Sequence, residues 1–364
     1  MLTVDVESGR HPAALRRWFP GTEPDPFYDE SVLTALYGDS WSSVVIEEGG
    51  HALRHAFAAS AIGTTGLLDI EPLVGYAGPL ATSDAPAEFL AAALKRYGAL
   101  CRESGIVAEL IRFNPLLRNH RPLDGLIPDL ALAEPKPVIY LPIQRERQEQ
   151  MPGYPRATRN MVRTGERSAR VAVLDKADAW SQFEQLYDRT LEATTAPSQW
   201  QMQPDVWVRM RHHPGFRLIG AVQDDRLLAG ALALTSSSTW YYFLAAGVRE
   251  PDARRGVSNA VVHEIALTAA IDGASWLGLG GGTTGSMTDS LFAFKNSFGG
   301  EVVPFTVGRF IHDRREHGAL LETAERGNRT VSESALFLRY RLAPAYATGR
   351  MVPAPIRPLA GRTP

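Results

Sequence analysis

The stretch from Gly280 to Gly300, GGGTTGSMTDSLFAFKNSFGG, places three successive glycines ahead of a short segment with one lysine, Lys295. Such a backbone takes dihedrals closed to other residues and approaches a ligand closely, which makes Gly281 and Gly282 candidate substrate contacts. A lysine on the segment that follows would set a positive charge where an oxyanion or a departing oxygen develops, the role assigned here to Lys295. By residue type alone, a lone lysine between phenylalanines is more often a surface group. Around it, Leu277 and Leu279 end an expected strand and Asp289 stands where a helix N-cap belongs. Leu291, Phe294 and Phe298 recur at helical spacing, with Lys295 expected to project between them.

No Gly-x-Ser-x-Gly elbow and no Cys/His pair competes with this site. An acyl group that arrived already activated would need no protein nucleophile, since an amine could attack it directly through a tetrahedral oxyanion. The proton acceptor for the amine is not identifiable. Cys101, the single cysteine, lies in a helical pattern and reads as a buried thiol, so an intramolecular disulfide is excluded. His51 and His55 are four apart, but on a strand this separates them by roughly 13 Å, so no metal site is expected.

Basic residues cluster twice. Arg156, Arg159, Arg163, Arg167 and Arg170 are spaced to line one helix face, and only Glu166 within that stretch is acidic. Such a stripe would hold phosphates; the competing reading is a solvated face with its own ion pairs. Arg254 and Arg255 precede an expected helix from Ser258 to Ile271 and are further candidates for phosphate contact. The formal net charge of -2 is not that of a dedicated nucleic-acid binder.

The elements that must position these groups follow from pattern. In the first half, Gly49-Gly50 joins two strands as a hairpin. A strand around Leu67 to Ile70, a helix from Pro86 to Glu103 and strands at Val107 to Arg112 and Pro135 to Pro142 follow, with a polar crossing near residue 148. The second half reads as a strand at Ala169 to Leu174, a helix at Trp180 to Thr194, a three-stranded meander with a turn at Asp224-Asp225, a helix, and the strand entering the glycine turn. Further helices are expected from His312 to Glu325 and from Val331 to Tyr346. Tyr241 and Tyr242 alternate faces of one strand, so at most one would line a pocket. A chain of 364 residues exceeds the usual size of one hydrophobic core. The N-terminus has acids before any apolar run and no cleavage site, and no stretch reaches the ~20 apolar residues of a spanning helix, so a cytoplasmic protein is expected.

The run Phe292, Phe294, Lys295, Phe298, Gly299 after a glycine pair resembles the Fem family. These non-ribosomal peptidyl transferases move an amino acid from aminoacyl-tRNA to an amine of a peptidoglycan precursor. Gly75-Tyr76-Ala77-Gly78-Pro79-Leu80 and Arg112-Phe113-Asn114-Pro115-Leu116 match two further family runs. The resemblance spans roughly residues 69 to 310. It implies an α/β fold of two tandem GNAT-like domains: residues 1–148 with 315–364 returning to them, and 149–314 carrying the glycine turn. It also implies Lys295 as the catalytic group; Tyr76, Arg112, Gly281, Gly282, Phe294 and Tyr242 at the substrates; and Arg156, Arg159, Arg163, Arg254 and Arg255 at tRNA phosphates. Aminoacyl-tRNA is then a co-substrate, with no cofactor, and the acceptor is an amine-bearing peptidoglycan precursor or peptide-like metabolite. The long coiled-coil arm of some members is missing.

GNAT enzymes that use acyl-CoA hold its pyrophosphate on a glycine-rich helix start. Here Gly256 is followed by Ser258 and Asn259 with no second glycine at the usual offset, which disfavours coenzyme A. An acyl-CoA-dependent N-acyltransferase and a non-catalytic RNA- or peptide-binding module remain the alternatives.

Overall fold

The computed structural model describes residues 2–21, 25–71, 75–194, 201–249, 255–326 and 328–352. The chain divides into two compact units: Met1–Glu23 with Phe27–Pro135 and Phe305–Pro364, and Pro24–Pro26 with Lys136–Pro304. Among the described residues no helix is long and apolar enough to cross a membrane.

The first unit is built on a sheet of β1 (Thr3–Ser8), β2 (Trp41–Glu48), β3 (His51–Ile62), β4 (Leu68–Ile70), β5 (Leu80–Ala81), β6 (Ile106–Arg112) and β7 (Leu130–Leu132). Its principal helices here are α1 (Glu30–Tyr37) and α2 (Ala87–Glu103). Gly49 and Gly50, at φ 61° and 92°, turn β2 into β3 with Glu48 opposite His51. That positive φ at both turn residues matches the twist of the paired strands. Strand β4 runs parallel to β6, and past its end Ala77 bridges to Phe113, so the Gly75–Pro79 segment continues along the β6 edge. Helix α2 buries Phe89, Leu90, Leu94, Tyr97 and Cys101 on the sheet.

The second unit carries a sheet in the order β14-β8-β13-β12-β11-β10-β9, from β8 (Lys136–Pro142), β9 (Arg170–Val173), β10 (Phe216–Gln223), β11 (Arg226–Leu234), β12 (Thr239–Gly247), β13 (Trp276–Gly280) and β14 (Glu301–Phe305). Its helices include α3 (Arg156–Ser168), α4 (Ala177–Thr194), α5 (Pro204–His212), α6 (Val257–Ile271) and α7 (Ser290–Asn296). Asp224 and Asp225, at φ 46° and 61°, make the β10–β11 turn. Helix α6 is apolar nearly all round and lies inside the unit, as such a composition requires. Strands β12 and β13 pair in parallel only from Thr239–Tyr241 to Trp276–Gly278 and then part, although β12 stays paired to β11 as far as Gly247. The parting leaves an open edge on β12 toward the glycine turn.

Strand β15 (Val307–Ile311) and helix α8 (Arg314–Glu325) return to the first unit, where Val307 to Ile311 pair with Arg112 to Ala108. The last described strand, β16 (Thr348–Val352), pairs with β3.

These seams differ from the expected ones near residues 148 and 314. Strand β8 pairs antiparallel with β13 and so belongs to the second unit, while β15 pairs with β6 and already belongs to the first. Pairing partners set the seam, and the polar crossing at 144–155 lies inside the second unit. The helix expected from Val331 to Tyr346 is also absent: only Arg329–Ser332 is α-helical, followed by short 3-10 turns at Arg339–Leu342 and Pro344–Tyr346. Pro344 has no N–H to continue a helix.

Candidate functional site

Lys295 is interior. It is 8% exposed, and with Phe292 at 1% and Phe298 at 0% it forms the buried i, i+3 face of α7 and its C-terminal turn, while Leu291 is 40% exposed. The expected face of Leu291, Phe294 and Phe298 is therefore rotated by one residue. A pattern built on apolar types alone cannot admit a lysine to the inner face, and that is where this lysine lies.

The Lys295 Nζ donates to the carbonyl oxygen of Gly281 at 2.7 Å. Burial pulls its pKa from 10.5 down to about 8, with the Asp289 carboxylate working against the fall. At neutral pH the group is still mostly an ammonium, held by a backbone dipole.

Asp289 joins the turn to the helix. Its Oδ1 accepts from the N–H of Leu291 at 2.9 Å and of Phe292 at 3.1 Å, capping α7. Its Oδ2 accepts from the N–H of Thr283 at 3.1 Å and of Thr284 at 3.2 Å, and from the Thr284 hydroxyl at 3.3 Å. The N–H of Phe292 and those of Thr283, Thr284 and Leu291 hold its carboxyl below the usual range. A Cβ on Gly282 would stand 2.5 Å from Asp289 Oδ1, and one on Gly281 would stand 3.0 Å from the Pro137 carbonyl. The turn needs glycine at 282 because the carboxylate occupies the space a side chain would take.

One residue before Lys295, Phe294 lines a cleft of about 530 Å³ in the second unit, with Met161, Thr190, Thr194, Gly247, Val248, Arg249, Arg255, Gly256, Ser258 and Asn259. The cleft lies between the end of β12 and the start of α6. Gly256 is the N-cap of α6 at φ 78°, with no side-chain cap hydrogen bond, and Ser258 and Asn259 lie inside the first turn. Helix α3 crosses this point at very close range: a Cβ on Gly256 would stand 2.3 Å from the Met161 carbonyl, and one on Gly165 would stand 2.2 Å from the Gly256 carbonyl. Two glycines thus let α3 pack on the first turn of α6, and that side of the turn is filled by protein.

The other expected contacts are distributed as follows. Arg255 is exposed and lines the cleft, whereas Arg254 lies outside the described residues. On α3, Arg156 and Arg163 are exposed, but Arg159 is half-buried and donates to the carbonyls of Tyr154 and Pro152. The helix ends at Ser168, so Arg170 belongs to β9 and leaves the stripe. Tyr242 is half-buried, with burial raising its pKa, and it is not among the cleft-lining residues; Tyr241 is buried. Thr190, Thr194, Met161 and Arg249 line the cleft without having been singled out by sequence. The Arg249 guanidinium donates to the Ala193 carbonyl at 2.9 Å, which ties the end of α4 to this wall.

Tyr76 and Arg112 come together in the first unit, on a cavity of about 40 Å³ that His55 and Glu109 also line. Tyr76 packs edge-on against Phe27 and Phe305. His51 and His55 serve different partners: His51 faces Asp84 at 3.6 Å, while the His55 Nε2 meets Glu109 Oε1 at 2.5 Å. Glu109 Oε2 accepts from the Tyr97 hydroxyl at 2.9 Å and stands 3.4 Å from His312 Nε2. Burial pushes the Glu109 carboxyl up, but His55 and His312 outweigh it and hold it down to about 2. Cys101 is buried and free, and burial pushes its thiol up, as expected of an inert cysteine.

Residues 154–295 match the family model described as the acetyltransferase (GNAT) domain. That match covers α3, strands β9 to β13 of the second sheet, the cleft, the glycine turn and α7 as far as Lys295. The chain has a tandem GNAT fold. Among solved structures it is similar to FemX, at 15% identity over 76% of this chain and 89% of that one, with a TM-score of 0.54. It is also similar to a tandem GNAT protein from the clavulanic acid biosynthesis pathway, at 10% identity over 86% and 99%, with a TM-score of 0.53. A conserved protein of unknown function from Bacteroides thetaiotaomicron follows at 11% identity over 77% and 89%, with a TM-score of 0.50. At these identities the likeness concerns the fold, which is Fem-like. No curated protein matches the chain.

Within this tandem GNAT fold the two units use their parallel strand pair differently. In the second, β12 and β13 part beside the 530 Å³ cleft. In the first, the Gly75–Pro79 segment lies along β6, Ala77 N–H donating to Arg112 O at 2.7 Å, and only 40 Å³ remains.

Proposed function

We propose that this protein is an N-acyltransferase that moves an aminoacyl group from aminoacyl-tRNA to an amine, by direct attack and without a covalent enzyme intermediate. The observation that carries the reading is Lys295, a buried ammonium fixed on the Gly281 carbonyl; its neighbour Phe294 lines the cleft, and Lys295 itself lies behind that lining. An aminoacyl ester is already activated, so the protein needs to bind the donor, exclude water and meet the developing negative charge with a fixed positive one. Lys295 supplies that charge to the oxyanion or to the departing ribose oxygen. Arg255 and Arg249 at the cleft, with Arg156 and Arg163 on α3, meet the phosphates of the tRNA end. The acceptor is an amine of a peptidoglycan precursor or a peptide-like metabolite.

The decisive experiment incubates the protein with a pool of charged tRNA and candidate amines, scoring new amides by mass spectrometry with and without RNase. Products that survive RNase treatment of the donor pool before addition would sink the reading. Steep weakening of tRNA binding with salt is expected, lessened in the Arg156→Ala/Arg163→Ala variant.

The GNAT match favours a second reading, an acyl-CoA-dependent N-acyltransferase. The cleft sits at a helix start, where pyrophosphate is commonly held. Against it, the Met161 carbonyl and Gly165 crowd the turn at Gly256, and no second glycine follows. A thermal melt with coenzyme A decides: an upward shift at micromolar concentration favours the second reading.

A further inference from the structure

We propose that Asp289 is a positioning residue for Lys295, latching the glycine turn to α7 so that the Gly281 carbonyl stays in place against the ammonium. This rests on the role given above to Lys295.

The carboxylate divides its two oxygens between two tasks. Oδ1 takes the N–H groups of Leu291 and Phe292, which is ordinary helix capping. Oδ2 takes the N–H groups of Thr283 and Thr284 and the Thr284 hydroxyl, none of which belongs to the helix. Capping alone leaves the second oxygen to water. Here it collects three donors from the turn, beginning two residues after the glycine whose carbonyl receives Lys295 Nζ. The chain thus closes a ring: Gly281 O to Lys295, along α7 to its cap at Asp289, and from Asp289 Oδ2 back to Thr283, two residues beyond Gly281.

Each link has a reason to resist displacement. Gly282 leaves no room for a side chain beside the carboxylate, since a Cβ there would stand 2.5 Å from Asp289 Oδ1, so glycine is what lets the turn lie against the cap. Lys295 is 8% exposed and would lose its hydrogen-bond acceptor if the turn moved away. A buried ammonium without a partner is costly, so the position of the turn and the orientation of the lysine are coupled.

Two variants separate the tasks. Asp289→Asn keeps one carbonyl oxygen for the cap, where Asn is as effective as Asp. It turns an NH₂ group toward the amides of Thr283 and Thr284, which are themselves donors. Asp289→Ser likewise keeps a capping oxygen and removes the second one, and serves if the Asn variant fails to fold. The readouts need no substrate: labelling of Lys295 by an amine-reactive acylating reagent, followed by peptide mass spectrometry, and hydrogen–deuterium exchange over residues 281–288. Both are expected to rise at least fivefold in the variants, with melting temperature within a few degrees of wild type. If transfer is observed, kcat should fall tenfold or more with the donor KM unchanged. Labelling and exchange unaltered in a folded variant would reduce Asp289 to a helix cap and overturn the proposal. Altered labelling and exchange, in a protein that transfers nothing from charged tRNA, would uphold the latch and refute the proposed function.

Discussion

The Lys295 ammonium and the Gly281 carbonyl oxygen stand 2.7 Å apart, inside a hydrogen-bonded ring closed by Asp289. A cation in that setting is partly desolvated and directionally fixed, the condition under which a single charge does most to stabilise a developing oxyanion.

Lys295→Met should therefore abolish transfer while leaving the fold. A loss of one positioned charge typically costs about 10²–10³ in kcat. Replacing a buried ammonium by an apolar chain of similar length removes a desolvation cost, so the melting temperature should hold or rise. Near-normal turnover in a folded Lys295→Met protein would refute the assignment.

The pH dependence has a definite sign. Lys295 titrates at about 8 in the folded protein against 10.5 when unperturbed, because burial disfavours the charged form. Activity that needs the ammonium should fall as pH rises through about 8. Between 8 and 10.5 the unfolded chain binds more protons at this site than the native one, so stability relative to Lys295→Met should rise with pH by up to roughly 3 kcal/mol. Denaturant melts of both proteins at pH 7.5 and 10 measure the difference; an equal stability gap at the two pH values would count against this burial.

Gly165→Ala and Gly256→Ala test the approach of α3 to α6. The first places a Cβ 2.2 Å from the Gly256 carbonyl, and the second places one 2.3 Å from the Met161 carbonyl at a φ of 78°. The obstructing atoms are backbone, which cannot rotate away, so each substitution should destabilise by about 2 kcal/mol or more. Either variant retaining wild-type stability in chemical denaturation would show that this contact is looser than described.

In the first unit, Glu109→Gln should be strongly destabilising. The carboxylate is 1% exposed and serves His55, Tyr97 and His312. Removing one side of a buried charged cluster typically costs about 3–5 kcal/mol. Glu109 has a folded pKa of about 2 against 4.5, so its contribution is complete above 4.5 and is lost as pH falls toward 2. The wild-type protein should lose stability over that interval, and Glu109→Gln should show a shallower acid dependence; parallel acid curves would contradict it.

Some of this was legible in the residues. Gly49-Gly50 and Asp224-Asp225 marked their hairpins because positive φ is a local demand. Asp289 showed as a cap because a helix start depends on its nearest neighbours. The order of elements and the glycine–lysine run carried the α/β fold of two GNAT-like units, as the family match and the solved structures bear out.

What the sequence determined alone was therefore local: turns, caps, helix and strand periods, and the lysine after its glycines. Tertiary structure decided that Lys295 faces inward, that Asp289 spends its second oxygen on the turn, and that β8 and β15 belong to the units opposite to those expected. The reason is physical. Periodicity assigns faces by apolar type and domains by gaps in pattern, whereas strand partners and carbonyl acceptors are chosen among groups distant in the chain, and only the folded backbone brings them within hydrogen-bonding distance.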